Sequence, residues 1–245
     1  MIPKVIHYCW FGGKPLPKDA ERYIRSWRKF MPDYEIKRWD ESNFDIDSIP
    51  YTKEAYAAKK YAFVSDYARF WILYHYGGLY FDTDVEIVKP IDDIVNNGNF
   101  LGVELQDETH ITIAPGLGLG AEKNCPLLKD LLKIYQNAHF LCKNDTVKVE
   151  NIVEITTNYL IGKGLKNTDG VQQCCGYTIY PKDYFCPIDY NTRVLKITDN
   201  TRAIHHYAES WLPKSTRFKN FLGRICGQGF LQFLIKIKRM LKFSK

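Results

Sequence analysis

"GGLYFDTDVEIV", residues Gly77 to Val88, decides the reading of this chain. Leu79, Tyr80 and Phe81 form a short apolar run of strand character. Paired glycines open it, and two carboxylates one residue apart, Asp82 and Asp84, close it. Charges that close repel, and each raises the other's pKa unless something positive stands between them. A metal ion, a basic side chain or water would answer that. In an open α/β sheet, ligands bind beyond the C-terminal ends of the strands. An acidic pair there suits magnesium or manganese, which take one or two carboxylates and leave their other positions to phosphate and water.

Upstream of this stretch, residues 53–76 carry Ala55, Ala58, Ala62, Phe63, Tyr67, Phe70, Trp71 and Tyr74 at helical spacing, and Gly77-Gly78 ends the pattern. Asp66 and Arg69 sit at i, i+3 on one face of that helix. The helix is too apolar all round to lie free on a surface, so the charged pair is expected to line a cleft. Residues 4–11 read as a first buried strand ended by Gly12-Gly13, 18–30 as an amphipathic helix, and 34–39 as a second strand. Strand, helix, strand at this spacing opens a parallel α/β sheet.

The later chain reads less regularly. Short strands are expected over 85–88, 99–105 and 111–113, a flexible loop over 114–121, helices over 126–140 and 149–161, and extended segments over 177–181 and 203–207. No repeat or low-complexity linker divides the chain.

Composition allows one sizeable core, since 245 residues with 45% hydrophobic and 25% charged content are ordinary for a soluble α/β domain. The first residues already read as strand, and no run approaches the roughly 18 apolar residues of a membrane span. The seven cysteines are odd in number and scattered, with no CxxC pair. They indicate neither a zinc site nor a disulfide framework, and a reduced cytoplasmic setting is expected. The aromatic share of 15% suits clefts for flat or polyhydroxylated ligands, and equally a core rich in tyrosine.

The segment SDYARFWILYHYGGLYFDTD, residues 65–84, resembles the signature SDxxR…YGGxYxDxD of glycosyltransferase family 32. That family includes bacterial capsular-polysaccharide transferases and yeast initiating mannosyltransferases. Its sugar-binding motif is similar to that of the clostridial glucosylating toxins. IPKVIHYCWFGGKPLP near the start and AIHHYAESW at 203–211 look like the family's first and last core motifs, so the likeness spans about residues 2–211 in order.

The resemblance implies a GT-A fold of Rossmann-like type with a mostly parallel central sheet. It also implies a nucleotide-sugar donor, a manganese or magnesium ion, and retention of anomeric configuration. Asp84 would coordinate the metal; Asp82 would contact the donor or reach the metal through water. Asp66 and Arg69 would hold the donor hexose. Trp10, with Phe11, Gly12 and Gly13, would meet the nucleotide base in the manner of the toxins, which favours UDP over GDP. Near the last motif His205, His206 and Ser210 are candidate metal ligands, with the two histidines left open, and Trp211 would close over the diphosphate. Where many members carry Thr-Gly-Pro this chain has Thr156-Thr157-Asn158, so acceptor-side residues do not carry over. No catalytic nucleophile is identifiable. That fits a front-face mechanism in which the leaving phosphate assists the acceptor hydroxyl.

Nine of the 34 basic residues follow Glu209, where no acidic residue occurs, so the body is mildly acidic and the tail strongly basic. Residues 1–212 are read as the catalytic domain and 213–245 as an extension holding an amphipathic basic helix. Such a helix would dock on an anionic membrane surface, favoured by about 1 kcal/mol per basic residue, or pack on its own domain or a partner protein. The acceptor is expected to be a saccharide of a surface polysaccharide, carried on a lipid. Nucleic acid is not an expected partner, because the basic run lacks a recognisable binding module. Two competing readings are a non-catalytic sugar- or membrane-binding module of the same fold and a magnesium phosphatase of haloacid-dehalogenase type. The latter wants Thr or Val where this chain has Glu86.

Overall fold

The structure, a computed structural model, describes residues 1–140, 151–190 and 192–208. Its first unit is β1 (Val5–Cys9), α1 (Lys18–Phe30) and β2 (Glu35–Trp39), with β1 and β2 paired in parallel from Val5↔Glu35 to Cys9↔Trp39. The helix forms because Ala20, Tyr23, Ile24 and Trp27 recur at helical spacing and bury one stripe. Trp27 reaches furthest, donating its indole N–H to the Val85 carbonyl at 2.8 Å.

The expected helix over 53–76 is two helices, α2 (Pro50–Ala57) and α3 (Tyr61–Tyr76). Between them Lys59 takes φ 58°, the Lys59 N–H bonds to Tyr56 O, and the Lys60 N–H bonds to Ala55 O, each at 2.8 Å. This is a Schellman closure with lysine where glycine usually stands. Chain reversal there leaves α3 free to lie over the sheet at its own angle.

After α3, Gly77 and Gly78 both take positive φ, and a Cβ on Gly78 would sit 2.7 Å from the Val5 carbonyl. Only glycine lets β3 (Gly78–Tyr80) enter so close beside β1, with which it pairs in parallel. Then come β4 (Val85–Ile87), α4 (Asp92–Val95), β5 (Phe100–Gln106), β6 (Ile111–Ile113), β7 (Leu119–Ala121), α5 (Pro126–Gln136), α6 (Ile152–Gly162), β8 (Gln172–Cys174), β9 (Tyr177–Tyr180), α7 (Lys182–Phe185) and β10 (Ala203–His205).

The main sheet runs β2-β1-β3-β7-β5-β9-β8, with β6 beside the far half of β5; β4 and β10 form a separate antiparallel pair. Strands β2, β1, β3, β5 and β9 share one direction, so the sheet is largely parallel, while β6, β7 and β8 oppose them. The segment expected to be a flexible loop, 114–121, ends in β7, a fully buried strand between β3 and β5. Gly118 and Gly120 leave one side of it bare, against Phe81, Phe185 and Phe100.

Apolar side chains pack on both faces, giving three layers. Helices α2, α3, α5 and α6 cover one face around Tyr51, Tyr67, Phe70, Leu128, Leu131 and Tyr135. Helix α1, β4 and α7 cover the other around Ile24, Trp27, Phe81, Val85 and Phe185. Among the described residues no helix is long and apolar enough to cross a membrane. The expected amphipathic helix beyond residue 213 lies outside the described residues, as do Ser210 and Trp211.

Candidate active site

The C-terminal ends of β1, β3, β5 and β9 meet one edge of the sheet, and the acidic pair lies there. Asp82 leaves β3 two residues after Tyr80, its backbone N–H bonded to the Gly116 carbonyl at 2.9 Å. Asp84 immediately precedes β4. The positive groups that the pair calls for come from two different directions.

Arg69, on α3, answers Asp82. Its Nη1 lies 3.2 Å from Asp82 Oδ2, its Nη2 lies 3.0 Å from Asp66 Oδ1, and its Nε donates to the Ser65 carbonyl at 3.1 Å. The side chains of Arg69 and Asp66 are 6% and 10% exposed, that of Asp82 34%, so the guanidinium is buried with one carboxylate and presents the other to solvent. A planar fork of donors can span two carboxylates in this way, which an ammonium cannot. Beneath it, Tyr80 faces the guanidinium at 4.7 Å and donates its hydroxyl to Asp82 Oδ1 at 3.2 Å. Burial pushes the Asp66 carboxyl up, to about 7, against the pull of Arg69.

That shift carries a sign. A carboxyl at about 7 in the fold and about 4 in the unfolded chain holds more protons folded across that window. Its contribution to stability therefore falls as pH rises from about 4 to about 7 and is flat above. Urea midpoints across that range are expected to show this slope in the parent protein and a flatter one in Asp66→Asn.

His205, on β10, answers Asp84. Its Nε2 lies 3.3 Å from Asp84 Oδ2, and the Ala208 N–H donates to the same oxygen at 2.8 Å. Burial pushes the Asp84 carboxyl up, but His205 and the Ala208 N–H overcome it and hold the group down, at about 2. On the imidazole, burial acts downward, and the Asp84 charge more than reverses it, raising His205 well above its ordinary value.

The neighbouring histidine is engaged elsewhere. His206 Nε2 lies 2.8 Å from Glu86 Oε2, and its ring stacks on Tyr23 at 4.4 Å. The alternation of a strand sends the two side chains to opposite sides. The sequence left the two histidines open; the structure places His205 against Asp84.

Of the N-terminal candidates, Trp10 continues β1 at the same edge, half-buried, its indole N–H donating to the Lys14 carbonyl at 2.6 Å. Phe11 is buried against Phe44, with ring centroids 5.8 Å apart, so its side chain belongs to the core. Gly12 takes φ 94°, bonds through its N–H to the Glu41 carboxylate and underlies the Tyr61 ring; Gly13 follows with φ 66°.

A divalent cation fits the donor set at Asp82 and Asp84. Asp84 carries charge at low pH and Asp82 is open to solvent, while among the described residues no three His, Cys, Asp or Glu side chains form a closed cage. Two carboxylates without a cage suit an ion completed by phosphate and water.

Sequence reasoning missed Gly116 and Tyr80. A Cβ on Gly116 would sit 1.8 Å from Asp82 Oδ2 and 2.9 Å from Arg69 Nη1, so the space belongs to the carboxylate. The alternate glycines 116, 118 and 120 were the available signal, although Gly116 lies in the turn over 115–117 that precedes β7. Gly116→Ala is expected to cost about 1–3 kcal/mol by overpacking. By displacing Asp82 it should also weaken ligand binding at this edge, which denaturant unfolding and calorimetry would read separately.

Residues 17–101 match the family described as "Glycosyltransferase sugar-binding region containing DXD motif". An uncharacterized glycosyltransferase of Acanthamoeba polyphaga mimivirus is 29% identical over 161 residues, which are 62% of this chain and 61% of that protein. Inositol phosphoceramide mannosyltransferase 1 of Schizosaccharomyces pombe is 29% identical over 107 residues, 41% of this chain and 33% of its own length. The chain thus spans less than two thirds of either curated relative. Among solved structures, the PaToxG glycosyltransferase superposes with a TM-score of 0.48 at 20% identity, over 66% of this chain and 70% of that one. The matched stretch, from α1 to the start of β5, contains Asp66, Arg69, Asp82 and Asp84 and is similar to that sugar-binding region.

Proposed function

We propose that the chain is a metal-dependent, retaining glycosyltransferase of GT-A type. It moves a hexose from a nucleotide-sugar donor, a UDP-sugar by preference, to a saccharide hydroxyl in surface-polysaccharide synthesis. The observation that carries this reading is the Arg69 fork between Asp66 and Asp82, set beside the Asp84–His205 pair at the ligand edge of the sheet. Asp66 and Arg69 would hydrogen-bond the hexose, and Asp84 with Asp82 would hold manganese or magnesium. A metal held by these carboxylates would supply positive charge to stabilise the diphosphate as it leaves. The chain's own part is to hold that geometry: Tyr80 and Gly116 fix Asp82, and the Ala208 N–H fixes Asp84.

Trp10 at the end of β1 supports a base-stacking place beside the phosphates, since β1 and β3 are neighbours. The fungal relatives are named as mannosyltransferases, which adds mannose to the sugars worth testing. The basic stretch beyond residue 213 supports action at an anionic membrane surface on the cytoplasmic side, on an acceptor carried by lipid.

The test is calorimetric titration of the purified protein with UDP- and GDP-sugars, each with and without manganese. Binding of one donor that requires the metal is the expected result. A folded protein that binds none of them overturns the reading.

A further inference from the structure

The hairpin at the far edge of the main sheet holds two neighbouring cysteines. Strands β8 and β9 are joined by Cys175 and Gly176 alone, since Cys174 pairs directly with Tyr177. Cys175 takes φ 52° and Gly176 φ 75°, both left-handed, as in the tight turn that usually carries asparagine or aspartate before glycine. Those residues tolerate that region better than cysteine does, so a thiol stands here at some backbone cost. The turn also decides where the thiols point. Along a strand, neighbouring side chains go to opposite faces. Here the left-handed turn at Cys175 leaves its sulfur 3.9 Å from that of Cys174.

The two thiols differ in access. Cys174 is buried and held, its Sγ 3.7 Å from the Leu160 carbonyl and 3.9 Å from that of Lys163, at the end of α6. Cys175 is exposed, and β8 is the last strand of the sheet. Distances then separate what such a pair can do. Ordinary disulfides join Cα atoms about 4.4–6.8 Å apart, whereas neighbours across a trans peptide stand about 3.8 Å apart, so a direct bond between these sulfurs is strained. A single atom bonded to both fits better, because two bonds of about 2.3 Å meeting at the tetrahedral angle span about 3.8 Å. Zinc asks for two further ligands, and among the described residues no third His, Cys, Asp or Glu joins the pair. Trivalent arsenic that carries one organic group offers two positions to sulfur and needs no third.

We propose that Cys174 and Cys175 form a dithiol site that captures organic compounds of trivalent arsenic. The site is independent of the glycosyltransferase reading and lies four strands from β3 along the sheet. In the step, the arsenic of an arsenoso group, R–As=O, bonds first to the exposed Cys175 sulfur and then to that of Cys174. Both S–H bonds break, their protons join the arsenoso oxygen, and that oxygen leaves as one molecule of water. Arsenic stays trivalent and neither sulfur is oxidised, so no oxidant is consumed. The hairpin supplies the spacing, and the held inner thiol supplies the second bond without a search.

The probe is phenylarsine oxide, added to the reduced, folded chain and followed by intact-mass spectrometry. One phenylarsenic group per chain is expected. It should be retained in excess glutathione, which offers one thiol per molecule, and removed by dithiothreitol, which offers two. Cys175→Ser and Cys174→Ser should each weaken capture at least about 100-fold, the lower end of what holding a ligand at two points gains. Cys175 is exposed, so its variant tests the site without disturbing the core, and circular dichroism reads the fold of both. Cys142→Ser and Cys226→Ser, at positions outside the described residues, should capture as the parent does. Capture unchanged in Cys175→Ser, or lost with Cys142 or Cys226, overturns the proposal. So does a parent chain from which excess glutathione strips all the arsenic.

Discussion

Replacing Asp84 by Asn is expected to abolish metal-dependent donor binding while leaving the fold in place. Direct loss of a charged ligand should exceed the 10–100-fold that supporting residues of metal sites typically contribute, so donor Kd with manganese should rise by more than about 100-fold. The fold should survive for a local reason. The side-chain oxygen of the introduced asparagine can still accept the Ala208 N–H. The bond from the His206 N–H to the carbonyl of residue 84 belongs to the backbone, and the β4–β10 ladder is untouched. His205, relieved of its carboxylate partner, would return to the neutral form at pH 7. Calorimetry with and without manganese reads the affinity and near-ultraviolet circular dichroism the fold. Unchanged metal-dependent binding in Asp84→Asn would remove Asp84 from the metal site.

Arg69→Ala carries the largest expected cost in stability. It leaves Asp66 buried without its cation, and Asp82 without the guanidinium that pairs with it. Removing one member of a buried ion pair typically costs about 3–5 kcal/mol, which in a chain of this size lowers Tm by roughly 6–20 °C. Arg69→Lys should fall between, because a single ammonium cannot reach both carboxylates with matched geometry. If the cost is that of stranded charge, then Arg69→Met combined with Asp66→Asn and Asp82→Asn should regain much of the loss while remaining unable to bind donor. Thermal unfolding at pH 8, where Asp66 is ionised, is the measurement. A single Arg69→Ala variant as stable as the parent would mean that water enters and solvates the pair.

The first half of the fold was legible because its signals are local. Helix α1 announces itself through Ala20, Tyr23, Ile24 and Trp27, and the run from Leu79 to Asp84 places a strand and its acidic end. The break between α2 and α3 was not legible, because a Schellman closure built on Lys59 lacks the glycine that marks one. Strand β7 was hidden for the opposite reason. Its glycine pattern reads as a loop, and only the phenylalanines of neighbouring elements explain why a strand bare on one side belongs there. At the site, the carboxylates could be named in advance, but that Arg69 spans Asp66 and Asp82 depends on how α3 lies over β3. The choice between His205 and His206 depends on the register Val85↔His205, a pairing across nearly half the chain.

That pairing also sets the order in which the site can come into being. Asp84 emerges early in synthesis, yet its imidazole and amide partners lie at 205 and 208, and β10 cannot zip onto β4 until both have left the ribosome. Contacts so far apart in sequence form late. A nascent chain can therefore bring Asp66, Arg69 and Asp82 together well before the Asp84 side is closed. The acidic corner is completed last, as a property of the finished fold, so a stalled or shortened product ending before residue 203 would leave Asp84 without either partner.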